Sequence, residues 1–242
     1  MTAPPAVTSV VDRDWWPVTA PRPATATGPV LAALQGEPAP VSPPPVVVYG
    51  DFTCPYSFLA SQRVDALTAA GLAAVQWRAV EHDRSVAPSG RLGQAEPGWR
   101  RAVTEVAALA RPGERVPAQP PVVVSNTHAA VYLYAWAGVS DRPLVRRRLF
   151  EAVWIDGLPV GSVEDLLALL GREAVHPALS GSAGLRLGLW RAQWQQVSGR
   201  RLPAVVRPAD GVVVTGADAL AYLAGLLTGA AANPTSPNVS PS

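Results

Sequence analysis

The apolar, β-branched run Val46-Val47-Val48-Tyr49 stops at Gly50-Asp51 and passes directly into Cys54-Pro55-Tyr56-Ser57 and an apolar stretch from Phe58. This junction constrains the fold more than any other part of the chain. The run reads as a buried strand. Pro55 is suited to a first helical turn, because the N–H it lacks would go unpaired there in any case. The residue before it therefore stands at a helix N-terminus, facing unpaired amides and the positive end of the dipole. That residue is Cys54, the single cysteine of the chain, so no disulfide can close within it. The placement predicts a reactive sulfur with a pKa well below the free value of about 8.5; the plain alternative is a small buried hydrophobe. Ser57 shares the helix face one turn on. Its hydroxyl can donate to a thiolate at Cys54 but cannot resolve a mixed disulfide, and an ordinary first-turn serine is the alternative reading. Tyr56 is placed to line a substrate pocket or simply to pack.

The pattern continues as strand 46–50, helix 56–70 and strand 72–80, a βαβ unit. A mainly helical stretch follows, with apolar residues three or four apart in Trp99 to Ala110, Thr127 to Ala137, Pro143 to Ile155, Val163 to Leu170 and Leu185 to Ser198. Strand returns at Ala204 to Arg207, turns at Asp210-Gly211 and pairs back through Val212 to Val214, and the last helix spans Asp218 to Leu227. The class is α/β, with βαβ then ββα around a helical insertion at about 97–200. The core domain is expected over 46–228.

Residues 1–45 form a Pro-rich, largely extended N-terminal arm, in which Trp15-Trp16 is the one sticky feature, and 229–242 reads as a disordered tail. The opening residues lack an apolar segment of signal or membrane-spanning length, and a lone cysteine suits a reducing compartment, so the expected location is cytoplasmic. All 20 basic residues are arginine and the net charge is only +2. The all-arginine usage is how bacterial proteins of high-GC genomes read. The densest cluster, Arg146-Arg147-Arg148, is expected on a solvated helix face, and no basic patch interleaved with aromatics supports nucleic-acid binding. His82, His128 and His176 lack metal-ligand spacing, so no metal is expected. Trp136, Trp154, Trp190 and Trp194 recur at helical spacing and are expected to build the core of the insertion.

Five segments in order resemble the DsbA-like branch of the thioredoxin-fold superfamily, with FrnE-type oxidoreductases, 2-hydroxychromene-2-carboxylate isomerases and kappa-class glutathione transferases. They are Asp51 to Ala60, Ser125 to Ala130, Leu149 to Trp154, Leu202 to Val206 and Gly216 to Leu220. The resemblance implies a thioredoxin-like fold with a helical insertion. It implies that Cys54 is the reactive group with Ser57 at the resolving position, and that Pro55, Tyr56 and Asn126 border the pocket. It also implies a cis peptide at Leu202-Pro203 facing the sulfur, with Gly216 and Asp218 near a bound thiol's amine. As the N-cap or first-turn residues of their helices, Asn126 and Asp218 need no such role.

Three activities follow from that resemblance. The first is a monothiol, DsbA-type oxidoreductase that relies on an external low-molecular-weight thiol, glutathione or mycothiol. The second is an isomerase or transferase dependent on such a thiol, as in the 2-hydroxychromene-2-carboxylate isomerases. The third is a non-catalytic binding module. The expected partners are small molecules, with neither nucleic acid nor membrane, and a homodimer is compatible with the resemblance.

Overall fold

The computed structural model describes residues 43–93, 97–171 and 181–230. Most of the N-terminal arm with Trp15-Trp16, residues 231–242 of the tail, and His176 lie outside the described residues. β1 (Pro45–Gly50) is the most buried strand, and α1 (Pro55–Ala69) follows it after a four-residue corner. β2 (Ala74–Ala79) then pairs parallel to β1, with Val46 opposite Val75 and Gly50 opposite Ala79.

After the insertion the chain returns through β5 (Ala204–Arg207) and β6 (Val212–Thr215) into α7 (Gly216–Thr228). β5 pairs antiparallel to β1, Tyr49 facing Ala204, and β6 pairs antiparallel to β5. The sheet order is β2-β1-β5-β6. With a parallel pair on one side and antiparallel strands on the other, the C-terminal ends of β1, β2 and β6 and the N-terminal end of β5 share one edge. Both α1 and α7 begin there.

The insertion carries a two-stranded antiparallel ribbon of β3 (Arg91–Leu92) and β4 (Val123–Val124). Its helices are α2 (Pro97–Leu109), α3 (His128–Trp136), α4 (Arg142–Glu151), α5 (Val163–Leu170) and α6 (Gly181–Ser198). α4 ends in a π turn, Ala152–Asp156, closed by Gly157 at φ 67°, a left-handed position that suits glycine. Ser162 and Asp165 form a capping box at the start of α5.

The core joins both parts. Phe52, Phe58, Trp77, Tyr134 and Phe150 pack edge-on or tilted around the β1–α1 corner. Trp154, Trp190 and Trp194 are buried, and Trp136 is half-buried against the same core. Of the arginine cluster, Arg147 and Arg148 keep exposed side chains as expected, and only Arg146 departs from the solvated face. Arg146 is 4 % exposed, donates to Ser61 Oγ at 3.0 Å, pairs with Asp65 and lies over the Trp77 ring. Its charge thereby ties α4 to α1. Arg63 is buried likewise, spending its guanidinium on Glu114 and on the carbonyls of Leu109 and Leu220.

Candidate active site

Gly50 makes the corner possible. A Cβ there would fall 2.2 Å from Trp77 Cζ2 and 3.2 Å from Ser57 Cβ, so only glycine lets β1 end against both. Beyond it the chain folds onto Asp51, whose carbonyl accepts from the Cys54 N–H at 3.1 Å. The Asp51 side chain is 1 % exposed. It accepts from Thr53 N–H and Oγ1 (both 2.8 Å), His82 N–H (2.6 Å) and Thr127 Oγ1 (3.3 Å). Three strands of chain, the corner, the end of β2 and the start of α3, therefore converge on one carboxylate. Burial still pushes its pKa above the usual carboxylate value, against those hydrogen bonds.

Cys54 occupies the N-cap of α1 in extended conformation, φ −94° and ψ 119°, with Pro55 in the first turn. The residue as a whole is half-buried, and its sulfur is turned inward. Burial pushes its pKa up to about 11; hydrogen bonding to the hydroxyl and N–H of Ser57 and the N–H of Tyr56 pulls down, and the Asp51 charge adds to the rise. The depressed pKa expected from the helix terminus is thus overturned in direction. A helix dipole supplies at most about 2 kcal/mol, under two pKa units, whereas desolvation supplies up to 3–5 units. The free protein therefore holds Cys54 as a neutral thiol.

Ser57 is fully buried one turn on, and its hydroxyl accepts from the Asp51 N–H at 3.4 Å. Tyr56 is half-buried, and its phenol donates to the Glu105 carboxylate on α2. Its pKa is raised by burial, by that bond and by the charges of Glu105 and Cys54. A second tie closes the corner: Trp154 Nε1 donates to the Phe52 carbonyl at 2.9 Å, and Trp99 of α2 rests against Trp154 at 5.8 Å between ring centroids.

The Leu202–Pro203 peptide is cis. Continuing the Tyr49–Ala204 register sets Pro203 beside Gly50, on the edge where the Cys54 corner lies. The Pro203 carbonyl accepts from the Gly216 N–H at 2.8 Å. The N–H and C=O of Leu202 take no hydrogen bond among the described residues. Gly216 has φ 61° and opens α7, whose N-cap is Thr215, so Asp218 stands in the first turn, exposed, with no side-chain partner among the described residues. Asn126 is turned to local bonds, donating to the Val86 carbonyl at 2.6 Å and accepting from His128 N–H at 2.9 Å.

Cys54, Pro55, Tyr56, Ser57, Leu202, Pro203, Gly216 and Asp218 therefore share one sheet edge. Asn126 stands beside them through Thr127 but spends its side chain elsewhere. Sequence reading missed Asp51, Glu105 and Phe52 as parts of this site. Asp51 was visible as the strand's polar terminus; nothing in the sequence joined Glu105 to Tyr56. Among the described residues no three His, Cys, Asp or Glu side chains are grouped to hold a metal, and no helix is long and apolar enough to cross a membrane.

Solved structures share this architecture at low identity. A 2-hydroxychromene-2-carboxylate isomerase superposes with a TM-score of 0.53 at 20 % identity, covering 76 % of this chain and 94 % of its own. A probable DsbA oxidoreductase from Streptomyces coelicolor gives 0.61 at 18 %, covering 77 % and 89 %. The cytosolic disulfide reductase DsbM from Pseudomonas aeruginosa, with GSH, gives 0.52 at 14 %, covering 76 % and 96 %. At such identities the likeness carries the fold alone. No curated protein matches the chain in sequence. The match of residues 45–178 to the DSBA-like thioredoxin domain spans the strand, the Cys-Pro corner and most of the helical insertion, and the chain belongs to that family.

Proposed function

We propose that the protein is a monothiol oxidoreductase that works through Cys54 and an external low-molecular-weight thiol, glutathione or mycothiol. The observation that carries this reading is the placement of Cys54 and Ser57 at the start of α1, a cysteine at the helix N-cap without a resolving sulfur one turn on. Cys54, as thiolate, attacks one sulfur of a disulfide RS–SR′, forming Cys54–S–SR and releasing R′S⁻, which accepts the proton the thiol gave up. A second thiolate attacks the R sulfur of the adduct, forms a new disulfide and expels Cys54 as thiolate. No internal disulfide enters the cycle. The open N–H and C=O of Leu202 suit an extended thiol peptide, and the exposed Asp218 carboxylate suits its ammonium group. The DsbM structure with GSH fits a thiol of this kind, and its cytosolic setting fits a reducing compartment.

Intact-mass measurement after incubation with oxidised glutathione and oxidised mycothiol tests the reading. The expected result is one adduct, absent from Cys54→Ser and removed by the matching free thiol. A protein that stays unmodified, or an adduct the free thiol cannot remove, overturns it.

One observation favours a second reading. A neutral Cys54 thiol can donate a hydrogen bond to the thiolate of a bound cofactor without reacting, which is the part an isomerase of the 2-hydroxychromene-2-carboxylate type requires of this position. Cys54→Ser separates the two, because a serine hydroxyl donates as well but cannot form a disulfide. Turnover kept by that variant favours the isomerase, and turnover lost favours the oxidoreductase.

A further inference from the structure

Behind the Asp51 hub, between the end of β2, α3 and α6, lies a cavity of about 170 Å³ that the chemistry of Cys54 does not use. Its floor is apolar, from Ala79, Val80, Val131 and Leu187, and its rim is charged. Glu81, 9 % exposed, is the one acid of the rim. Its carboxylate meets Arg84 Nε at 2.9 Å, His128 Nδ1, and Arg191 Nη1 at 4.0 Å. One negative charge thus serves two guanidinium groups and an imidazole, leaving at least one positive charge uncompensated. Arg84 spends only Nε, and neither it nor Arg191 has another side-chain partner among the described residues.

Gly184 and Gly188 line the same cavity from one face of α6. Glycine inside a helix costs stability relative to alanine. A Cβ at either position would meet nothing within 4 Å, so packing does not require the two glycines, and a side chain longer than alanine there would have room to extend over the cavity.

We propose that this cavity is a second ligand site, for a small carboxylate with a compact apolar body, its acid on Arg84 and Arg191 and its body on Val131 and Leu187. The volume fits one ring: an apolar cavity of about 150 Å³ takes up benzene, while drug-sized ligands need roughly 300–1,000 Å³. The site adjoins the reactive corner. Glu81 precedes His82 and His128 follows Thr127, and both neighbours donate to the Asp51 carboxylate.

Benzoate is the probe, with benzyl alcohol as the uncharged control, read by calorimetry and ligand-observed NMR on the full chain. Saturable benzoate binding is expected, with benzyl alcohol and the Arg191→Gln variant each about tenfold weaker, as for loss of a charge-assisted hydrogen bond. Gly188→Leu fills the cavity on an open helix face and should abolish binding while keeping the far-UV dichroism of the parent. Cys54→Ser should bind benzoate like the parent, which separates this site from the proposed thiol chemistry. Non-saturable binding, or benzoate affinity unchanged in both Gly188→Leu and Arg191→Gln, overturns the proposal.

Discussion

Trp154 and Phe52, separated by 102 residues, are joined by a 2.9 Å hydrogen bond from the indole N–H to the carbonyl of the turn that carries Cys54. Both side chains are buried, so the bond fixes the corner from the insertion side. It also leaves a buried acceptor unpaired if the indole is lost. Trp154→Phe keeps an aromatic ring but removes the donor together with part of the buried indole. Stability should fall by about 1–3 kcal/mol in denaturant titration, and iodoacetamide should label Cys54 faster than in the parent. Unchanged labelling would show that the Cys54 turn does not depend on the insertion.

The pH dependence of Cys54 follows from its burial. With its pKa pushed up to about 11, the alkylation rate of the free protein should still rise between pH 9 and 11, beyond the midpoint of a free thiol. The stability effect has a definite sign. A group whose folded pKa is raised contributes stability that is fully present below the unfolded value, and loses it as pH rises through the folded one. The parent should therefore weaken between about pH 9 and 11 by more than Cys54→Ala does. A midpoint below that of a free thiol would show that the first-turn amides outweigh burial at this site.

The strand, the Cys-Pro corner and the helix after it were legible because each rests on local chemistry: β-branched residues in sequence, a proline with no N–H to lose, a sulfur in front of it. The helices of the insertion were legible from their apolar spacing, and Asp210-Gly211 marked the final hairpin. What was not legible depends on contacts far along the chain. Arg146 looked like part of a solvated triplet until α4 laid it against Ser61, Asp65 and Trp77. Tyr56 and Glu105 lie 49 residues apart, with no pattern linking them. Two-residue strands such as Arg91–Leu92 are too short to show a period. The direction of the Cys54 pKa shift was not legible for a related reason: the helix terminus is a local feature, whereas desolvation depends on everything packed around it.

Gly50 tests how tightly the corner is built. In Gly50→Ala the new methyl would overlap the Trp77 ring, and overpacking of this kind costs about 1–3 kcal/mol. The midpoint of urea unfolding should fall accordingly. Pairing the change with Trp77→Leu, which withdraws the ring, should cost less than the two single changes summed. Strict additivity would show that Gly50 and Trp77 do not compete for one space.

Ser57→Cys bears most directly on the proposed chemistry. Ser57 is buried and sits on the face of α1 that bears Cys54. A thiol at position 57 would stand one helical turn from Cys54, within reach of disulfide geometry. The single-cysteine cycle would then become a dithiol one, because an adduct on Cys54 could be resolved from within the chain. The variant should form an internal disulfide under oxidised glutathione, seen as a loss of about two mass units. It should also reduce insulin catalytically, an activity the parent should lack without an external thiol. Turnover that needs a free, unpaired Cys54 should fall in the same variant, since the new thiol diverts it. A Ser57→Cys protein that keeps two free thiols under strong oxidant would show that the two positions are not juxtaposed as a redox pair, and the reading of Ser57 as the seat of a resolving thiol would fall with that result.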